Sequence, residues 1–444
     1  MTLLLFYTIP SKAQPSPDLR EILTRLDRLE QDNRSLTEEV RALRKELADL
    51  HATAPTDGHA AEDRLAVEQS RVEEIAQTKV ESSQKFPIRI TGMALFNAYL
   101  NGRHNNQSVN PTVASFANGD ATGGATLRQS TLGFLFNGPL TVGGAKVSGS
   151  VYLDFFGGSS ASLSNEVRLR TAEINLDWTN TSIMFGQTKP IISPRDPDSL
   201  AQVGVSPLTG AGNLWLWQPQ VRIEQRMKLG GNTGLTAQAG VFQTGILTAV
   251  SDPSGYVPPT DGGRPEYSRP GVEGRLELWR GWGESGRLEI AGGIHFNRNR
   301  VGYASLPSNV YSVDWFYRPF SKLEFSGMFF HGRNVATLGA LRQGFIVLPN
   351  GKPIPVRSNG GWAQIRVPIT ARLAFNLYGG QQDDRNSDLI YSNISKNQAY
   401  FGNVMYRLAP NVIVSLEGGQ VRTTFMQIGN RLNDHYDLAI AYLF

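Results

Sequence analysis

The sequence predicts an all-β protein, a transmembrane antiparallel β-barrel of about sixteen strands preceded by an α-helical coiled coil. Three observations predict it. From Ile88 onward, apolar residues recur with period two and never in a long run. The connections between these segments alternate in length. The final segment alternates strictly and closes on Phe444.

Bulk composition sets the frame. A chain of 444 residues accommodates one large domain and a small appendage. It has no cysteine, so disulfides contribute nothing and a closed backbone hydrogen-bond network must carry stability. No stretch of 18 apolar residues exists, which excludes a transmembrane helix. Mean hydropathy of -0.26 still suits a barrel, because alternating strands average out as hydrophilic. The 43 basic and 39 acidic residues balance too evenly to point to nucleic acid.

Residues 1–13, MTLLLFYTIPSKA, read as a signal peptide. Leu3 to Ile9 is a short apolar run, and Ser11-Lys12-Ala13 has the form of a cleavage site. No basic residue precedes the run, so the true start is expected upstream of Met1. Residues 14–54 read as a periplasmic coiled coil. Leu19, Leu26, Asn33, Val40 and Leu47 fall at position a, and Ile22, Leu29, Leu36, Leu43 and Leu50 at position d. Nine of these ten are aliphatic, and the seam is too narrow for a globular face. Asn33 would fix the register. The heptads leave open whether two or three helices associate, because Leu at both a and d serves either. Pro55 and Gly58 end the coil, and residues 55–85 read as a helical linker.

Residues 86–444 read as the barrel. Ile88, Ile90, Gly92, Ala94, Phe96, Ala98 and Leu100 share one face, with Arg89, Thr91, Met93, Asn97 and Tyr99 between them. Val147 to Phe155, Leu288 to Phe296 and Leu373 to Gly379 repeat the pattern. One apolar and one polar face per strand fits lipid outside and water inside. Short connections are predicted near Gly138-Pro139, Thr179 to Thr181, Gly230 to Asn232, Arg318-Pro319, Pro368 to Thr370 and Ala409 to Asn411. Long ones are predicted near 102–123, 157–165, 189–214, 246–268, 332–360 and 383–395. Trp178, Trp279, Trp282, Trp315, Tyr317, Phe320 and Tyr406 suit aromatic girdles at the two water boundaries.

The last segment carries the most specific signal. Tyr436, Leu438, Ile440, Tyr442 and Phe444 alternate with His435, Asp437, Ala439 and Ala441. It resembles the C-terminal strand of outer-membrane proteins, which implies that Phe444, Tyr442 and Ile440 are read by the barrel-assembly machinery. The order of signal, coiled coil, barrel and terminal Phe resembles the sixteen-stranded trimeric porins, and within them the DcaP-like subset. That resemblance implies a homotrimer in the outer membrane, surrounded by lipid, with the coil in the periplasm and small hydrophilic solutes diffusing through a water-filled pore. The competing function is a barrel-anchored envelope tether or adhesin without transport.

No enzymatic motif appears. The six histidines lack zinc spacing, and GxSxG and GxxxxGK[ST] are absent. No cofactor and no metal is expected. Asp196/Asp198 and Asp383-Asp384 fall in predicted loops and read as solvated rather than as calcium ligands.

A connection of about thirty residues, Lys189 to Pro219, is far beyond a usual hairpin loop. It follows the fifth strand. In porins the third external loop folds inward, so the resemblance makes this segment the constriction. It carries Lys189, Arg195, Asp196 and Asp198, stiffened by Pro190, Pro194, Pro197 and Pro207. The next strand offers Arg222, Glu224, Arg226 and Lys228 on one face, and strand four adds Arg168 and Arg170. Basic residues outnumber acidic ones here, which implies a modest anion preference. Against that, Glu173, Glu273, Glu277 and Glu289 offer compensation elsewhere.

Overall fold

A computed structural model describes residues 88–157, 165–243, 269–301, 304–341 and 343–444, together with Glu38 and Ala42, both helical. The chain divides into two units, Met1–Lys85 and Phe86–Phe444. The signal peptide, the coiled-coil seam and the linker lie outside the described residues.

Period-two sequence becomes strand throughout the second unit. In chain order the strands are β1 (Ile88–Asn101), β2 (Thr122–Thr126), β3 (Thr131–Val142), β4 (Ala145–Gly157), β5 (Glu166–Asp177), β6 (Thr181–Thr188), β7 (Gln218–Gly230), β8 (Thr233–Phe242), β9 (Gly271–Trp282) and β10 (Gly286–Val301). They continue as β11 (Ala304–Phe320), β12 (Leu323–Arg333), β13 (Phe345–Val347), β14 (Pro353–Pro355), β15 (Arg357–Pro368), β16 (Leu373–Asp384), β17 (Ile394–Ala409), β18 (Val412–Phe425) and β19 (Gly429–Leu443). Short β2 and β3 share one position, both pairing with β1, so the barrel has sixteen strands. β13 and β14 form a separate hairpin in the connection between β12 and β15.

Closure is antiparallel. β1 meets β19 from Met93↔Leu443 to Asn101↔His435. Gly92 and Phe444 add two backbone bonds at the end of this seam, of 2.9 and 3.2 Å. A closed ladder leaves no edge, the condition for a sheet to cross lipid. The outward face is apolar: Ile290, Ile294, Leu377 and Leu416 are each about half exposed, the arrangement expected of a lipid-facing wall. The inward positions between them hold Asn97, Ser150, Glu277, Asn376 and Glu417, all buried.

Several sequence expectations need correction. The turn expected at Gly138-Pro139 lies at Gly143-Gly144, where both residues adopt positive φ, 56° and 77°, that a side chain resists. The one expected at Arg318-Pro319 lies beyond Phe320, because a bulge between Tyr317 and Phe320 absorbs the proline. Trp279 shares the inward face of β9 with Glu277, and Arg287 stands over its ring at 5.9 Å, so it is no girdle residue. Asp383-Asp384 ends β16 and is not in a loop: Asp383 pairs with Lys396 at 2.6 Å, and Asp384 accepts from Ser358, also at 2.6 Å.

The inner face is also not uniformly polar. Val310, Met328, Phe330, Trp362, Tyr378, Ala399, Phe401 and Val421 point inward and are buried. They pack against Ile192, Leu208, Ala211 and Leu214 of the 189–217 segment and against Val335, Leu338 and Ala340 of the β12–β13 connection. An apolar core therefore occupies part of the barrel interior.

Candidate functional site

The segment 189–217 leaves β6 early. β6 has only 8 residues, the fewest of any strand pairing around the barrel except β2, so the chain turns inward below the level of its neighbours. Prolines 190, 194 and 197 deny the start of the segment a regular ladder, since each lacks an amide hydrogen. Its remaining backbone groups must find side-chain partners, and inward-facing residues of the wall supply them.

The partners trace its path. Ile191 N donates to Glu273 of β9 at 2.6 Å. Arg195 reaches Asp314 of β11 at 2.6 Å and also binds Glu289 of β10. Asp198 N donates to Gln364 of β15 at 2.6 Å, while Asn403 of β17 donates to Asp198 O at 2.8 Å. Ser199 Oγ donates to Glu417 of β18 at 2.7 Å, and Asn97 of β1 donates to Leu200 O at 2.9 Å. Gln129, just ahead of β3, donates to Ala201 O at 2.7 Å and accepts from the amides of Val203 and Gly204 at 2.8 Å. Arg170 and Arg168 of β5 close the traverse on Val203 O and Gly204 O at 2.7 and 2.5 Å. The segment thus contacts the wall from β9 around to β5. It returns along β15 and β17, where Asn397 donates to Gly210 O at 3.0 Å.

Most of the charged groups singled out in the sequence are paired. Arg168 and Arg170 meet Asp154 of β4 at 2.7 and 3.1 Å, and both guanidiniums stand over the Trp217 ring at 5.2 and 4.7 Å. Lys189 pairs with Asp196. Arg366 reaches Asp198 at 3.1 Å. Arg226 meets Glu224 at 2.9 Å. Arg195 belongs to a network in which Arg275 holds Asp314 at 2.8 Å and Glu277 at 2.6 Å, while Arg287 binds Glu289. Burial lowers the Arg195 guanidinium from its ordinary value, and the Asp314 carboxylate pulls it back. Arg222 and Lys228 face inward from β7 and have no ion pair among the described residues.

These residues do not form one cluster. Arg195 sits against β9 to β11, Arg168 and Arg170 against the far end of the segment, and Arg226 and Lys228 toward the short turn after β7. Asp154, Asp314 and Trp217 escaped notice in the sequence. Their signal was faint: Asp314 is a lone acid in the aromatic run VYSVDWFY, and Asp154 is one polar position of an alternating strand. Of the histidines, His331 faces outward and bonds Asn359 at 2.7 Å, whereas His295 is buried inside. Among the described residues no three metal-ligating side chains gather.

A closed sixteen-strand antiparallel barrel, apolar outside and bridged inside by one long connection, is the fold of an outer-membrane porin. Among solved structures, this chain has the fold of the DcaP outer-membrane channel of Acinetobacter baumannii, at TM-score 0.62 and 17% identity over 80% of this chain and 97% of that one. It is also similar to an anion-selective porin from Comamonas acidovorans, at TM-score 0.53 and 14% identity over 80% of this chain and 99% of that one. In-vitro folded OmpT of Vibrio cholerae, in its trimer form, matches at TM-score 0.50 and 12% identity over 80% and 99%. Neither a family model nor a curated protein matches the sequence.

Proposed function

We propose that the chain is an outer-membrane porin that lets small hydrophilic solutes diffuse through a water-filled pore, with segment 189–217 as its constriction. The observation that carries this reading is the traverse of that segment across the interior, held by inward-facing side chains of β1, β5, β9, β11, β15, β17 and β18. A loop so anchored narrows the barrel. The fold shared with channels and porins supports the reading.

The pore prefers anions modestly. Unpaired Arg222 and Lys228 and the Arg168–Arg170 pair around a single Asp154 leave one wall with excess positive charge, which a low-dielectric lumen focuses. The paired state of Arg195, Lys189 and Arg226 keeps the preference small. The protomers associate as trimers, as in the trimer form of in-vitro folded OmpT. Phe444, Tyr442 and Ile440 direct insertion, and residues 14–54 form a periplasmic coil.

Reversal potentials under a salt gradient test the selectivity. The parent should favour anions, and Arg222→Ala with Arg226→Ala should reduce that preference, as should high salt. Cation preference in the parent, or no change in the double variant, removes this wall as the selectivity element. Liposome swelling with neutral sugars tests solute diffusion, and light scattering in detergent tests the trimer.

A further inference from the structure

The outward face of the barrel is not apolar all the way to its rim. At the end that carries the long connections, outward positions of β10, β12 and β15 are basic. Arg298 continues the face of Ile294 and Phe296, with Asn297 and Asn299 buried on the inward side. Arg333 continues the face of Phe329 and His331, with Met328 and Phe330 buried behind them. Arg357 opens the outward row of β15 that runs on to Asn359 and Ile365. Arg333 and Arg357 stand directly opposite each other in the ladder. Like charges so placed repel. Asp388 binds Arg357, accepting from its Nε at 2.7 Å. Arg298 and Arg333 have no ion pair among the described residues. Arg385, whose amide donates to Arg357 O at 2.8 Å, adds an exposed cation at the same rim.

Height on the wall and contrast around the rim both point to lipid. Ile294, Val313 and Phe329 are about half exposed, and Phe296 and Tyr311 form an edge-to-face pair at 5.9 Å beside them. Arg333 lies four residues beyond Phe329, about 13 Å along the strand. The order apolar, aromatic, cationic matches the acyl chains, interface and anionic headgroups of a leaflet. Elsewhere on this rim the pattern differs. The outward faces of β1, β5, β8 and β9 end on Leu100, Val167, Val241 and Val272, all uncharged. The outward faces of β16 to β19 set Lys396 and Arg422 against Asp383 and Asp434, and Lys396 is paired with Asp383. Positive charge in excess of acid is therefore confined to the sector from β10 to β15.

We propose that Arg298, Arg333 and Arg357 hold the phosphate groups of lipid A, the phosphorylated glycolipid of the outer leaflet, whose acyl chains lie on the apolar wall below. Long connections mark this end of an outer-membrane barrel as the external one, so the facing leaflet is the outer one. A guanidinium offers a planar fork that matches phosphate oxygens two hydrogen bonds at a time. Arg298 and Arg333 are two strands apart, about 10 Å across the sheet. A headgroup with two phosphates engages both, whereas a lipid with one phosphate engages only one. The inference rests on the outer-membrane reading of the barrel and not on conduction.

Equilibrium binding of bisphosphorylated lipid A to the folded full chain in dodecyl maltoside micelles tests it. The parent should bind that lipid more tightly than its dephosphorylated form and more tightly than phosphatidylglycerol. Arg298→Gln with Arg333→Gln should weaken binding roughly thirtyfold, about fivefold for each arginine beside an anionic surface. Lys396→Gln with Arg422→Gln, on the balanced sector of the same rim, should leave binding unchanged. Should the first double variant not fold, high salt should still weaken binding by the parent. Equal binding of the dephosphorylated lipid or of phosphatidylglycerol overturns the proposal, as does unchanged binding in the first double variant or in high salt. A conducting barrel whose lipid binding ignores these changes sinks this inference alone. A barrel that binds lipid A as expected but passes no current sinks the porin reading alone.

Discussion

Asp314 holds more of the interior charge balance than any other single carboxylate in the β9 to β11 wall. Both of its oxygens are used, one by Arg195 and both by Arg275, at 2.6 to 2.8 Å, and it is 2% exposed. Removing one member of such a buried set strands the other charges. Asp314→Asn should therefore cost about 3 to 5 kcal/mol, read as a lower denaturant midpoint in detergent. A change within about 0.5 kcal/mol would mean water compensates the arginines. Asp388, in the connection after β16, gives a pH test. Hydrogen bonds from Arg357, including Nε at 2.7 Å, hold its carboxyl below the usual carboxylate value. A depressed value means the contribution is present above the ordinary unfolded value, about 4, and is lost as pH falls through the folded one. Proteolysis of loop 385–393 should therefore accelerate on acidification below that range, and Asp388→Asn should be fast throughout. Equal rates for both chains at neutral pH would contradict this.

Elements were legible where one face repeats. The alternation in Ile88 to Leu100 and in Tyr436 to Phe444 fixes strands, register parity and lipid face, because a slip of one residue would put every apolar group in water. Turn positions were less legible. Gly138-Pro139 looks like a turn, yet the ladder tolerates it as an irregularity between Asn137 and Thr141, and the glycine pair after it makes the reversal. Loop length does not follow the alternation everywhere: the connection at 426–428 is tight although it lies at the long-loop end. At Gly212 φ is 102°, and a Cβ there would collide with the Gly361 backbone of β15. Gly212→Ala should cost about 1 to 3 kcal/mol and push the segment off this wall, broadening the spread of single-channel conductances. Deleting Phe444 removes both bonds to Gly92 and frees the mouth of the β1–β19 seam. Each unpaired backbone group in lipid costs several kcal/mol, so membrane levels of the truncated chain should fall while synthesis continues. Unchanged levels would place closure elsewhere in the seam.

At the scale of the molecule, lumen and wall obey different rules, and that separates what the sequence reveals from what it hides. The outward face answers only to lipid, a solvent without direction, so hydropathy predicts it. The inward face answers to whatever loop covers it. Phe330, Trp362 and Phe401 point inward because Leu208, Leu214 and Leu338 come from distant loops to bury them, and no local pattern records that. The same holds for charge. Counting residues on 189–228 suggests a basic wall, but Asp154, Asp314 and Glu289 arrive from β4, β11 and β10 to neutralise much of it. What survives is a barrel bridged by one segment, with Arg222 and, nearer the short turn after β7, Lys228 carrying no ion pair among the described residues. The chain has no cysteine, so a single thiol can report on that segment. The measurement is single-channel recording in planar bilayers of Asp198→Cys, before and after a water-soluble methanethiosulfonate. Discrete current steps that scale with salt and shrink on modification are the predicted result. A folded, inserted barrel that passes no current, or steps unchanged after complete labelling, would contradict the account of 189–217 as the constriction of a water-filled pore.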